Sequence, residues 1–163
     1  MIKKHITTLC LVLVLLGCSN EEEKLSKQIQ SLELNNQFQN SDSLVNIYAL
    51  FSSKYPEHPN SIKFMFKAAE IQVKKNNLLE GIKLYETIGT NYNDKELAPE
   101  ALIRASVCFQ SIPDPANAKR MLELYIKKFP THERIEEVKQ MNEIVGLSEE
   151  ELIKRFTDKL NKP

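Results

Sequence analysis

The sequence predicts an all-α fold, an array of helix–turn–helix units repeating every 37 residues. Two observations carry this prediction. The aromatics Tyr55, Tyr92 and Phe129 stand 37 residues apart in turn, and a fixed step in the 20–50 range marks a repeat array. Three further columns keep the same step: Leu44, Gly81 and Ala118; Tyr48, Tyr85 and Leu122; Phe51, Ile88 and Tyr125. The composition agrees. With 4 Gly in 163 residues the chain is poor in the turns that an all-β fold needs.

The elements follow in order. Residues 18–40 read as a polar tether with a short amphipathic helix, because Leu25, Ile29 and Leu32 share one helical face. Repeats are expected over 41–146. Ser41, Asp42 and Ser43 offer N-caps to a helix whose stripe is Leu44, Ile47, Tyr48, Phe51 and Tyr55, stopped by Pro56 and Pro59. The next helix spans about 61–76, with Phe64, Met65, Ala68 and Ala69 on one face; Asn76-Asn77 then turns the chain. A third helix (about 78–92) carries Ile82, Tyr85 and Ile88. A fourth (about 96–110) tolerates Pro99 in its first turn. Asp114 caps a fifth, with Pro115 at its first position, and Phe129-Pro130 ends it. Thr131 opens a sixth, closed by Gly146. Ser148 and Glu151 form a capping box for a last helix, a C-terminal cap over 147–163, holding Leu152, Phe156 and Leu160.

The first seventeen residues read as an address. Met1 to His5 is a basic start, and Ile6 to Leu16 is an apolar run of about eleven residues, too short for a bilayer that needs ~20. Leu15-Leu16-Gly17-Cys18 resembles the lipobox of bacterial lipoproteins. That resemblance implies cleavage before Cys18, a diacylglyceryl group on its thiol and an acyl chain on its new amine, a firm membrane anchor at ~0.8 kcal/mol per buried CH₂. The acidic run Glu21-Glu22-Glu23 resembles the export tag of surface lipoproteins; the plain alternative is a solvated tether. Removing residues 1–17 removes Lys3 and Lys4 and leaves the mature chain slightly acidic.

Within the repeats, a small residue, then an aromatic four on, then a proline eight further, resembles tetratricopeptide repeats. The matching residues are Gly81, Tyr85 and Asn93, then Ala118, Leu122 and Pro130. The middle copy lacks the proline, the last lacks the aromatic, and no Trp occurs anywhere. The Tyr/Phe-Pro pairs are similar to those of the BamD-type and CpoB-type proteins of the bacterial outer membrane and periplasm. The resemblance implies a TPR-like solenoid of about 2.5–3 repeats. It also implies a concave binding face on the first helix of each pair: Lys63, Phe66, Glu70, Val73 and Lys74 from one repeat, and Glu100, Ile103, Val107 and Gln110 from the next. Phe66, Ile103 and Val107 lie off the inter-helix face, so an exposed apolar row is expected there, suited to a peptide or partner helix. The alternative is a terminal helix packed over it.

Little in the chain points to chemistry. Formal net charge is zero, without the clustered basic surface that nucleic acid requires. No HExxH, CxxC, glycine-rich phosphate loop or GxSxG occurs. No enzyme, metal or cofactor is expected beyond the lipid on Cys18. His58 and His132 are echoes two periods apart and read as turn residues. Cys108, alone in the body, reads as a small buried residue. The function expected is a lipid-anchored envelope adaptor, periplasm-facing, with a protein partner; the alternative is a surface lipoprotein binding an extracellular protein or ligand.

Overall fold

The computed structural model describes residues 21–35, 37–94 and 96–160. The expected signal peptide over 1–17, the lipidation site Cys18 and the last three residues of the expected C-terminal cap lie outside them. The fold is all-α and TPR-like, with eight helices and no strand among the described residues. The chain divides into two compact units, Met1–Lys75 and Asn76–Pro163.

The first unit holds three helices: α1, helical over 21–34, α2 (Asp42–Lys54) and α3 (Pro59–Lys74). The α1 stripe works as its spacing predicts, since Leu25 and Ile29 are buried and Leu32 half-buried. Ser41 begins α2 by accepting a hydrogen bond from the Leu44 amide at 3.2 Å. α2 and α3 pack through rings. Tyr48 stacks on Phe64 at 5.2 Å, and Phe51 meets Phe64 edge-on at 4.9 Å. Burying such side chains stabilises by ~1.5–3 kcal/mol each. Serines lock the turn: Ser52 donates to the Ser61 carbonyl at 2.9 Å, and Ser61 donates to the Tyr55 carbonyl.

Pro59 differs from its expected part. It does not stop α2 but opens α3 as its first residue, behind the cap residue His58. A proline costs nothing there, because that N–H has no helical partner.

The second unit holds α4 (Leu78–Asn91), α5 (Leu97–Ser111), α6 (Pro115–Lys128), α7 (Ile135–Ile144) and α8 (Glu149–Leu160). α5 packs on both α4 and α6, and α6 also on α7. The core is Tyr85, Ile88, Leu102, Met121, Leu122, Tyr125 and Val138, with the small residues Ala98, Ala101, Ala105 and Ala118 fully buried. Gly89 lets α4 approach α5 so closely that a Cβ there would lie 2.3 Å from a Leu102 methyl. The middle copy, which lacks the repeat's proline, closes α4 differently. Lys128 Nζ donates to the carbonyls of Gly89, Thr90 and Tyr92 at 2.7, 2.9 and 3.1 Å, a cation on carbonyls the helix end leaves unpaired. Cys108 is buried and free, and burial pushes its thiol pKa up.

The caps at the other helix ends follow the sequence. Asp114 accepts from the Asn117 amide at 3.1 Å ahead of Pro115. Ser148 and Glu151 form the reciprocal capping box, at 2.8 and 3.3 Å. Gly146 takes φ 82° after α7, a conformation glycine adopts without strain. α7 begins at Ile135, four residues after Thr131, because residues 131–134 form a turn. α8 buries none of its residues; Ile153 and Phe156 are both more than half exposed. Arg155 pairs with Glu143, tying its polar side to α7.

Candidate interaction surface

The turns first. In the first unit His58 Nδ1 accepts from the Asn60 amide at 3.1 Å, and its ring meets Phe51 edge-on at 5.0 Å. Two periods on, His132 Nδ1 accepts from the Arg134 amide at 3.2 Å, and its ring meets Tyr125 edge-on at 5.6 Å. Phe51 and Tyr125 share a column, so one packing unit occurs twice. Between them Asp94 does the capping, accepting from the amides of Glu96 and Leu97 at 2.8 and 2.7 Å. These histidines are joints between helices. Among the described residues no cluster of three or more His, Cys, Asp or Glu side chains is arranged to hold a metal ion.

The first-helix residues divide by unit. On α3, Lys63 and Lys74 are exposed and Glu70 and Val73 half-buried, but Phe66 is buried. On α5, Glu100 is half-buried, Val107 is 48% exposed and Gln110 is exposed, but Ile103 is buried. The expected exposed apolar row is therefore corrected at Phe66 and Ile103, and only Val107 remains of it. The reason is that these helices bury two faces. α3 buries Phe64, Ala68 and Ile71 on one side and Ile62, Phe66 and Ala69 on another. α5 is held between α4 and α6. Ile29 of α1, one period before Phe66, is buried too, so this column is an internal one.

What stays accessible is a strip of charge. In the first unit, Glu33 of α1 accepts from Tyr48 Oη at 2.6 Å and pairs with Lys67 of α3. Burial opposes ionisation of Glu33. The bonds from Lys67 and Tyr48 and the charges of Lys67 and Lys63 outweigh it, holding the carboxyl below its ordinary range. Burial, then Glu33, drives the Tyr48 phenol well above its ordinary value. Beside the trio lies an open cleft of about 340 Å³, lined in part by Gln39, Asn40, Lys67, Glu70 and Lys74. A second, of about 320 Å³, runs between α1 and α3 past Ser26, Gln30 and Lys63. The N-terminal helix thus lies along part of the α3 strip.

In the second unit, Glu100 accepts from Arg104 at 2.8 Å and from Arg134 at 2.7 Å, and Arg134 also reaches Glu137. Hydrogen bonding to Glu137 leads the effects that raise the Arg134 pKa far above its ordinary value, against the cost of burial. Sequence reading missed Glu33, Lys67, Arg104 and Arg134. A signal for them exists. Glu33 and Lys67, Glu86 and Arg120, and Glu100 and Arg134 are each separated by 34 residues. That is the 37-residue step less about one helical turn, the offset at which helices one period apart bring side chains together.

The family model described as "SNAP: Soluble NSF attachment protein, SNAP" matches residues 23–162. The chain belongs to the SNAP family. No curated protein and no solved structure matches it. The SNAP match begins within α1 and runs past the last described helix. It therefore takes in α1 with the repeats and agrees with the all-helical, TPR-like architecture. As a SNAP-family chain this is a helical-repeat scaffold of a family that is non-catalytic in general.

Proposed function

We infer that this protein is a lipid-anchored adaptor that holds a protein partner at a bacterial outer membrane, on its periplasmic side. The observation that carries the adaptor reading is the family match over 23–162, since the family's printed name describes an attachment protein. The anchor reading rests on the lipobox Leu15-Leu16-Gly17-Cys18 behind a basic start and a short apolar run. No described helix is long and apolar enough to cross a membrane. Glu21 pairs with Lys54 and Glu23 with Lys27, yet both carboxylates stay more than half exposed, so surface display stands as the second reading.

The partner's surface is the accessible remainder of the first-helix strips: Lys63, Glu70, Val73 and Lys74 on one unit, Glu100, Val107 and Gln110 on the other. The buried Phe66 and Ile103 support these strips from beneath. Charged and half-buried side chains of this kind give specificity and association rate more than bulk affinity. Crosslinking in intact cells, followed by capture, tests this with one variant per unit, a charge reversal in the first (Lys63→Glu with Lys74→Glu) and introduced charges in the second (Val107→Arg with Gln110→Glu). At least one should lose capture about tenfold with its fold retained by circular dichroism. Undiminished capture by both would remove these strips from the account.

A further inference from the structure

The first unit and the anchor site are joined by very little chain. Three residue steps separate Cys18 from Glu21, and an extended chain covers at most ~3.6 Å per step, about 11 Å in all. Helix is already present at Glu21. The acidic residues that open it are used. Glu21 pairs with Lys54 at the end of α2, and Glu22 lies 3.3 Å from His58 Nε2 at the start of α3. The next turn is fixed by burial, with Leu25 and Ile29 in the core of the unit. The start of α1 and the α2–α3 turn over 55–58 are therefore one end of the unit. Asp42 and Lys75, paired with each other, mark the other end. The 13 residues of α2 put ~20 Å between the two ends at 1.5 Å per residue.

Resting on the lipidation of Cys18 put forward above, we propose that Glu21 and Glu22 are a latch that couples the lipid anchor to the first helical unit and presents the Lys54–His58 turn to the bilayer surface. The partner of this end is the lipid headgroup layer, of which each leaflet has ~5–8 Å outside the ~30 Å hydrocarbon core. The anchor and the short chain supply the attachment. Charge does not: Glu21, Glu22, Glu23 and Glu57 outnumber Lys24, Lys27 and Lys54 at the same end, four to three. Covalent reach thus sets the attachment and the Glu21 and Glu22 contacts set the orientation, and both hold on a bilayer with no anionic lipid.

The chain contains no Trp, so a single introduced one reports position. The mature chain from Cys18, which keeps every described residue, is prepared with Cys108→Ala and either Glu57→Trp or Ser43→Trp. Both reporter sites are exposed, one at each end. Cys18 is coupled to a maleimide phospholipid in phosphatidylcholine vesicles carrying a headgroup nitroxide lipid. The expected result is quenching of the Glu57→Trp reporter at least threefold stronger than that of the Ser43→Trp reporter. Adding Glu21→Lys and Glu22→Lys should abolish that contrast with helicity unchanged. Equal quenching of the two reporters, or a contrast that survives the double reversal, overturns the latch. The same protein purified from envelopes is weighed separately. If it lacks lipid on Cys18 while the coupled protein shows the contrast, the anchor reading fails and the latch geometry stands.

Discussion

Ser106 buries a hydroxyl with no hydrogen-bond partner among the described residues, in the column that holds Ala69 one period earlier. An unpaired buried hydroxyl costs ~1–3 kcal/mol, so Ser106→Ala should raise stability by about 1 kcal/mol in denaturant unfolding. Gly89→Ala should act the other way. Its Cβ meets Leu102 Cγ at 2.5 Å as well as the methyl, and Leu102 is fully buried, so its shift displaces packed neighbours. Overpacking of ~1–3 kcal/mol outweighs the ~1 kcal/mol that Ala gains over Gly in a helix, and the midpoint should fall. Glu33 is a third test. Its carboxyl is held below its ordinary value near 4.5, so its contribution is full above that pH and is lost as pH falls through the lowered folded value. Glu33→Gln should cost about 1 kcal/mol at pH 7, discounted for partial exposure. The gap from the parent protein should close in acid. A gap that widened below pH 4 would contradict the sign.

At the scale of the element, α8 stands apart. It has its capping box and its tie from Arg155 to Glu143, but no buried residue. A helix of 12 residues has little stability without a packed face. Its amides should exchange with solvent far faster than those of α5, and deleting residues 148–163 should change the unfolding free energy of the rest by less than about 1 kcal/mol. Most elements were legible beforehand, and the reasons are local. Asp114-Pro115, Ser148 with Glu151, and Gly146 state their caps in the residues themselves. At Pro59 the sequence is ambiguous, since a proline after a helix and a proline opening the next are the same letter; His58 as cap decides between them. A single helical stripe leaves Phe66 and Ile103 outside, whereas both are buried. Burial on two faces is a tertiary fact, fixed by α4 and α6 around α5.

For the whole molecule, the 37-residue step organises more than the aromatic columns that first reveal it. Ile29, Phe66 and Ile103 keep it, all buried, which draws α1 into the repeat as a first helix in its own right. The polar sequence around Leu25 and Ile29 hid this, since one period alone carries no comparison. The charge strips were equally hidden, because their pairs fall at 34 residues and not at 37. The anchor proposed at Cys18 stands a few residues ahead of α1 of this SNAP-family helical scaffold. That junction is best tested by the mass of the N-terminal peptide of the protein extracted from the outer-membrane fraction. The peptide should begin at Cys18 and carry a diacylglyceryl group with an added acyl chain, and a Cys18→Ser variant should remain unprocessed. An unmodified Cys18 in that peptide, or normal processing and membrane retention of the variant, would contradict it.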